Sequence, residues 1–165
     1  MAETDPVETA WKIHASLQDW TGKVDAKAAF ALTLESAAIG ALTAFFGTGN
    51  QPERLTGVFP KTVFWLGIAL LALSALAAVS VVSPRLRSKG GGDDWREHFV
   101  YFGHLRHWEP ARLAEKLSAT PPLETLSRQL VVMSEIAWKK HRRVQQSLQF
   151  AVAGVAAVGL AWIVG

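Results

Sequence analysis

The chain has no cysteine among its 165 residues. That excludes a disulfide framework, a thiolate zinc site and a thiol nucleophile. No HExxH or comparable spacing of ligands marks a metal centre. The glycine run in "KGGGDD" lacks the strand–loop–helix setting of a phosphate-cradling loop and reads as a flexible link. Serine, histidine and aspartate occur, but no pattern arranges them as a catalytic triad, so no enzyme is expected. Residues 1–10 are acidic and the first apolar run lies well inside the chain, so no secretory leader is expected either. Between Thr62 and Ser83 there is no charged residue at all.

What is present is apolar and unevenly spread. Half of the residues are hydrophobic, high for a soluble domain of this charge content. Three segments approach the roughly 20 residues that cross a hydrocarbon core: 28–46, 62–83 and 147–164. A soluble bundle would need three helices apolar all round in a short chain. The expected fold is therefore an all-α membrane protein with about three transmembrane helices. Two of them extend as long helices into a cytoplasmic helical region.

The net charge is +3, which suits an anionic partner and suits cytoplasmic flanks of membrane spans equally well. Lys23 and Lys27 precede the first span. Arg85, Arg87 and Lys89 follow the second. Lys139, Lys140, Arg142 and Arg143 precede the third. The segment 47–61 carries only Arg54 and Lys61 against Glu53. By the positive-inside rule the N-terminus and the middle region are cytoplasmic, and the 47–61 loop and the C-terminus face outward. Trp65 and Trp162 then fall at the outer interface. The organisation expected is a cytoplasmic amphipathic helix over 1–27, a transmembrane hairpin over 28–83, a cytoplasmic helical sensing region over 84–146 and a final span over 147–165.

Trp11 or Ile13, Leu17, Trp20 and Val24 recur at helical steps, so residues 1–27 should run as one helix into the first span. Pro84 ends the second. Asp94 is placed to cap a helix through "WREHFVYFGHLRHW", and Pro110 to open a short one. From Leu123 the stripe Leu126, Leu130, Met133, Ala137, Val144 continues without Gly or Pro into the third span. That predicts one helix of about 40 residues, roughly 60 Å long.

Three groups of residues can carry function. His98, His104, His107 and His141, with Glu97 or Glu109, offer metal-ligating atoms but no ligand motif, and surface histidines are the plainer reading. The cations Lys139, Lys140, Arg142 and Arg143 gather before the third span, and Arg85, Arg87 and Lys27 reach the same depth around Asp25. They serve either as topology determinants and anionic-lipid contacts, at about 1 kcal/mol per residue, or as a pocket for a phosphate-bearing ligand. In the second case Tyr101, Phe102 and Trp138 are available to stack a base. Glu35 lies about 10 Å past Ala28 inside the first span. An acid there should face other helices or be protonated, with Ser74 and Ser80 as candidate partners. Gly40, Gly154 and Ala157 belong to small-residue faces that suit helix packing within one chain or between subunits.

Three segments together carry a resemblance: "WTGKVDAKAAFALTLESAAIGAL", "DDWREHFVYFGHL" and "LSRQLVVMSEIAWKKHRRVQQSLQFAVAG". In this order the chain resembles the small membrane effectors of Pycsar anti-phage systems, the PycTM family, over about residues 10–160. The resemblance implies that Asp25 and Lys27 match an Asp-x-Lys entry motif, and that Lys139 or Lys140 with Arg143 match the cations of the last helix. Glu35 has no counterpart in that pattern. The resemblance also implies a function. A pyrimidine nucleotide cyclase makes cyclic CMP or cyclic UMP after infection. The effector senses it at the inner membrane and impairs that lipid bilayer, giving growth arrest or abortive infection. A homo-oligomer is expected from the small-residue faces rather than from the resemblance. No cofactor, metal or nucleic-acid partner is implied. The alternatives are a constitutive membrane scaffold and a small oligomeric channel without nucleotide control.

Overall fold

A computed structural model describes residues 5–48, 55–83, 96 and 99–165. These form five helices in the order α1 (Pro6–Gly47), α2 (Val58–Val82), α3 (Phe102–Leu105), α4 (Pro110–Ala119) and α5 (Leu123–Val164), with no strand among the described residues. Three of them, α1, α2 and α5, are long and apolar enough to cross a membrane. The expected flanking charges Glu53, Arg54, Arg85, Arg87 and Lys89, the KGGGDD link with the Asp94 cap, and Glu97 and His98 lie outside the described residues.

Local chemistry sets the helix ends. Asp5 caps α1: its Oδ1 accepts the Val7 N–H at 2.9 Å. Pro6 follows at the first helical position, where its missing N–H costs nothing. Glu8 then favours the positive end of the helix and pairs with Lys12. α1 runs 42 residues without a break. Gly57, at φ +88°, makes the left-handed entry into α2 that a residue with a side chain would resist. α2 stops at Val82, and Ser83 is extended, the conformation Pro84 imposes on the residue before it. α5 covers 42 residues from Leu123.

The chain divides into two compact units, Met1–Gly22 with Pro84–Trp138, and Lys23–Ser83 with Lys139–Gly165. In the first, Ala10 and Leu17 of α1 and Leu126 and Ala137 of α5 are buried, as is Phe99. The spacing within each pair keeps it on one helix face. The helix expected over 95–108 is only partly formed: among the described residues Arg96 lies in a 3-10 turn, Phe99 to Tyr101 are not helical, and the α-helical part is α3. Tyr101 is extended there (φ −87°, ψ 127°). The run Phe99-Val100-Tyr101-Phe102 explains this, since aromatic and β-branched side chains lose rotamer freedom in a helix. Glu109, ahead of Pro110, is extended too, which separates α3 from α4.

In the second unit α2 runs antiparallel to both α1 and α5. One apolar layer joins Val24 and Ala28 of α1 to Val81 and Val144. At the other end Phe64, Leu71, Val158, Ala161 and Leu55 form a core against which Leu42 and Phe46 of α1 pack. Between α2 and α5 the backbones meet at Gly67 and Gly154. A Cβ added at Gly67 would stand 2.8 Å from the Val158 side chain. That approach is the small-residue packing that membrane helices use in place of a hydrophobic driving force. Where the chain re-enters α2, Thr56 donates its hydroxyl to the Gly165 carbonyl at 2.7 Å, closing the far end of this unit.

Candidate functional site

The helical phase of α5 sorts its four cations. Lys140 falls on the stripe of Ala137, Val144 and Ser147, all buried, and Arg143 flanks that stripe; both are half-buried. Lys139 and Arg142 are exposed. On α1, Asp25 is half-buried next to Val24, while Lys27 is exposed. Of the charged residues expected to act together, the six described are thus divided between an inner group, Asp25, Lys140 and Arg143, and an outer one, Lys27, Lys139 and Arg142.

Within the inner group Lys140 Nζ donates to both oxygens of Asp25, at 2.6 and 2.8 Å. These are charge-assisted distances. The side chains retain 25% and 40% of their exposure, so water screens the pair and its contribution stays near the modest range of surface ion pairs. It joins α1 to α5 at this level. Arg143 Nη1 donates to the Ser80 carbonyl at 3.5 Å, the outer limit of a hydrogen bond. Ser80 lies in the last turn of α2, where carbonyls lack helical partners and the helix dipole favours a cation.

Below the Val24, Ala28, Val81, Val144 layer lies a second polar group. Glu35 is only 6% exposed. Its Oε1 accepts from the hydroxyl of Ser74 and, at 3.2 Å, from that of Ser147. Ser74 Oγ is also 2.7 Å from the Ser147 carbonyl. The three residues come from three different helices and none faces lipid. Oε2 of Glu35 has no hydrogen-bond partner among the described residues. Ser74 was one of the partners expected for Glu35. Ser80 was the other, but its hydroxyl turns back to the Ala77 carbonyl instead, and Ser147 takes its place.

Tyr101 belongs to the other unit. Its ring packs against Phe102 at 4.6 Å and edge-on against His104 at 5.3 Å. It lies where a Cβ on residue 103 would be, which accounts for Gly103. Phe102 and Trp138 are largely exposed. Of the small residues, Gly154 sits in the α2–α5 crossing, Ala157 is half-buried beside it, and Gly40 is exposed with nothing within 4 Å of an added Cβ. Among the described residues no group of histidine, aspartate or glutamate side chains is arranged to hold a metal ion.

Two signals for this arrangement were present in the sequence. Lys140 interrupts the apolar stripe of α5 where an apolar residue is due, between Ala137 and Val144, and Ser147 continues that stripe one step on. Gly67 shares a helical face with Leu71 and Ser74, but nothing in α2 alone says which helix will approach it.

The chain is similar to a known family over nearly its whole length. The family model for PycTM, the Pycsar effector protein domain, matches residues 9–165. No curated protein and no solved structure matches it.

Proposed function

The chain belongs to the PycTM family of Pycsar effectors and is an anti-phage membrane effector linked to cyclic pyrimidine nucleotide signalling; from that premise we propose that it senses cyclic CMP or cyclic UMP and responds by impairing the inner membrane. The observation that carries the reading is the extent of the family match, residues 9–165, over a chain with three helices able to span a membrane. The N-terminus and the region before α5 face the cytoplasm and the C-terminus faces outward. The effector acts as a homo-oligomer in the lipid bilayer, and growth arrest follows from loss of membrane integrity.

The inner charged group on α1 and α5 supports this reading. A ligand shifts a conformational equilibrium only through unequal affinity for two states. Charges contributed by two helices supply such a difference, because the ligand feels any change in how those helices meet. The deciding experiment is calorimetry on the full chain in detergent with cyclic CMP, cyclic UMP and cyclic AMP, together with propidium iodide entry into cells supplied with the same nucleotides. Heat and dye entry with a cyclic pyrimidine nucleotide support the reading. No heat with any nucleotide at high concentration removes it.

The buried Glu35 favours one second reading, a channel without nucleotide control. Liposome flux that is constitutive and lost in Glu35→Gln would select it.

A further inference from the structure

The Lys140 ammonium gives two of its three donors to one carboxylate. Arg143 lies one turn further along α5, half-buried. It holds a single long bond to a backbone carbonyl, and its other N–H groups have no protein partner among the described residues. Formal charges of −1 for Asp25 and +1 each for Lys140 and Arg143 leave this group one positive charge in excess. A half-buried group with one surplus positive charge and unused forked donors fits a monoanion whose oxygens are paired, and a phosphodiester has that form.

We propose that the Asp25–Lys140 ion pair is a displaceable clasp: a phosphodiester monoanion binds between Lys140 and Arg143 and drives Asp25 off Lys140. Carboxylate and phosphodiester compete for the same ammonium, and two anions cannot share it without mutual repulsion. One phosphoryl oxygen takes the Lys140 donors. The other takes the Arg143 fork, which leaves Ser80 at little cost because that bond is long. The released Asp25 no longer ties α1 to α5 at this level. Anion binding is thereby coupled to the packing of the membrane helices, and the coupling is reciprocal: whatever loosens the clasp tightens anion binding by the same factor. The proposal rests on the nucleotide-sensing reading only for the source of the phosphodiester, which is either a cyclic nucleotide or a phospholipid headgroup.

The test titrates the full chain, in detergent free of phospholipid, with cyclic CMP, with cyclic UMP and with short-chain phosphatidylglycerol. Thermal unfolding is followed in parallel. Asp25→Asn is expected to lower the unfolding temperature and raise affinity for the bound probe about tenfold, opposite directions that a merely structural role would not produce. Lys140→Gln is expected to lower affinity about tenfold or more, the scale of a lost charge-assisted hydrogen bond. Arg143→Lys keeps a cation at the end of α2, so its unfolding temperature should stay near wild type while affinity falls with the loss of the fork. Nucleotide binding with this pattern supports both the clasp and nucleotide sensing. Phosphatidylglycerol binding alone, with this pattern, supports the clasp and removes nucleotide sensing. Nucleotide binding indifferent to all three substitutions overturns the clasp and leaves sensing intact. No binding of any probe by wild type or Asp25→Asn overturns the clasp.

Discussion

Gly67 of α2 and Gly154 of α5 face each other so closely that a Cβ on either would stand 2.9 Å from the other's carbonyl oxygen. Backbone does not yield as a flexible side chain does, so an added methyl must part the helices. Gly67→Ala and Gly154→Ala should each destabilise by about 1–3 kcal/mol, the cost of overpacking a filled contact. Gly40→Ala meets open space and should be neutral or gain up to about 1 kcal/mol from helix propensity. Thermal unfolding in detergent measures all three. Equal losses at the three positions would contradict the crossing.

Glu35, Ser74 and Ser147 form a polar group shared by three helices. Removing one hydroxyl strands part of a buried carboxyl group, which costs about 1–3 kcal/mol. A double-mutant cycle between Glu35→Gln and Ser74→Ala should return a coupling of about 0.6–1.7 kcal/mol, the range found for polar contacts within membranes. Ser80→Ala should show no coupling to Glu35, since the Ser80 hydroxyl bonds within its own helix.

The division of the cations on α5 predicts unequal effects of alanine. Arg142→Ala removes an exposed side chain and should shift stability by no more than about 0.5 kcal/mol. Lys140→Ala leaves the half-buried Asp25 without its partner and should cost up to about 1 kcal/mol, the upper end for a solvent-screened ion pair. A double-mutant cycle of Lys140 with Asp25 should show coupling that weakens in high salt, as screening requires. A cycle of Arg142 with Asp25 should show none.

The proposed orientation is open to a direct test because the chain has no cysteine. A single cysteine at Lys61 should react with a membrane-impermeant maleimide in intact cells. One at Lys12 should react only after lysis. The reverse pattern would invert the topology.

Much of the fold was readable in the sequence, for a local reason. The spans at 28–46, 62–83 and 147–164 rest on runs of apolar residues, and the observed α1, α2 and α5 contain nearly all of them. The unbroken course of α5 from Leu123 follows from a stripe with no Gly or Pro ahead of the span. The segment 99–108 resisted the same reasoning, because its aromatic spacing fits a helix while its residue types disfavour one.

By itself, the sequence determined that three helices can cross a membrane and that a carboxyl group lies inside one of them. It also determined that cations gather where the last of these helices begins. These are properties of single segments, set by hydropathy and period. Only the tertiary structure decided that Lys140 meets Asp25 across 115 positions of sequence, that Ser147 and not Ser80 completes the group around Glu35, and that Gly154 meets Gly67. Each of these depends on the rotation and register of one helix against another. The side chains at the crossing fix both jointly, so neither segment carries that information alone.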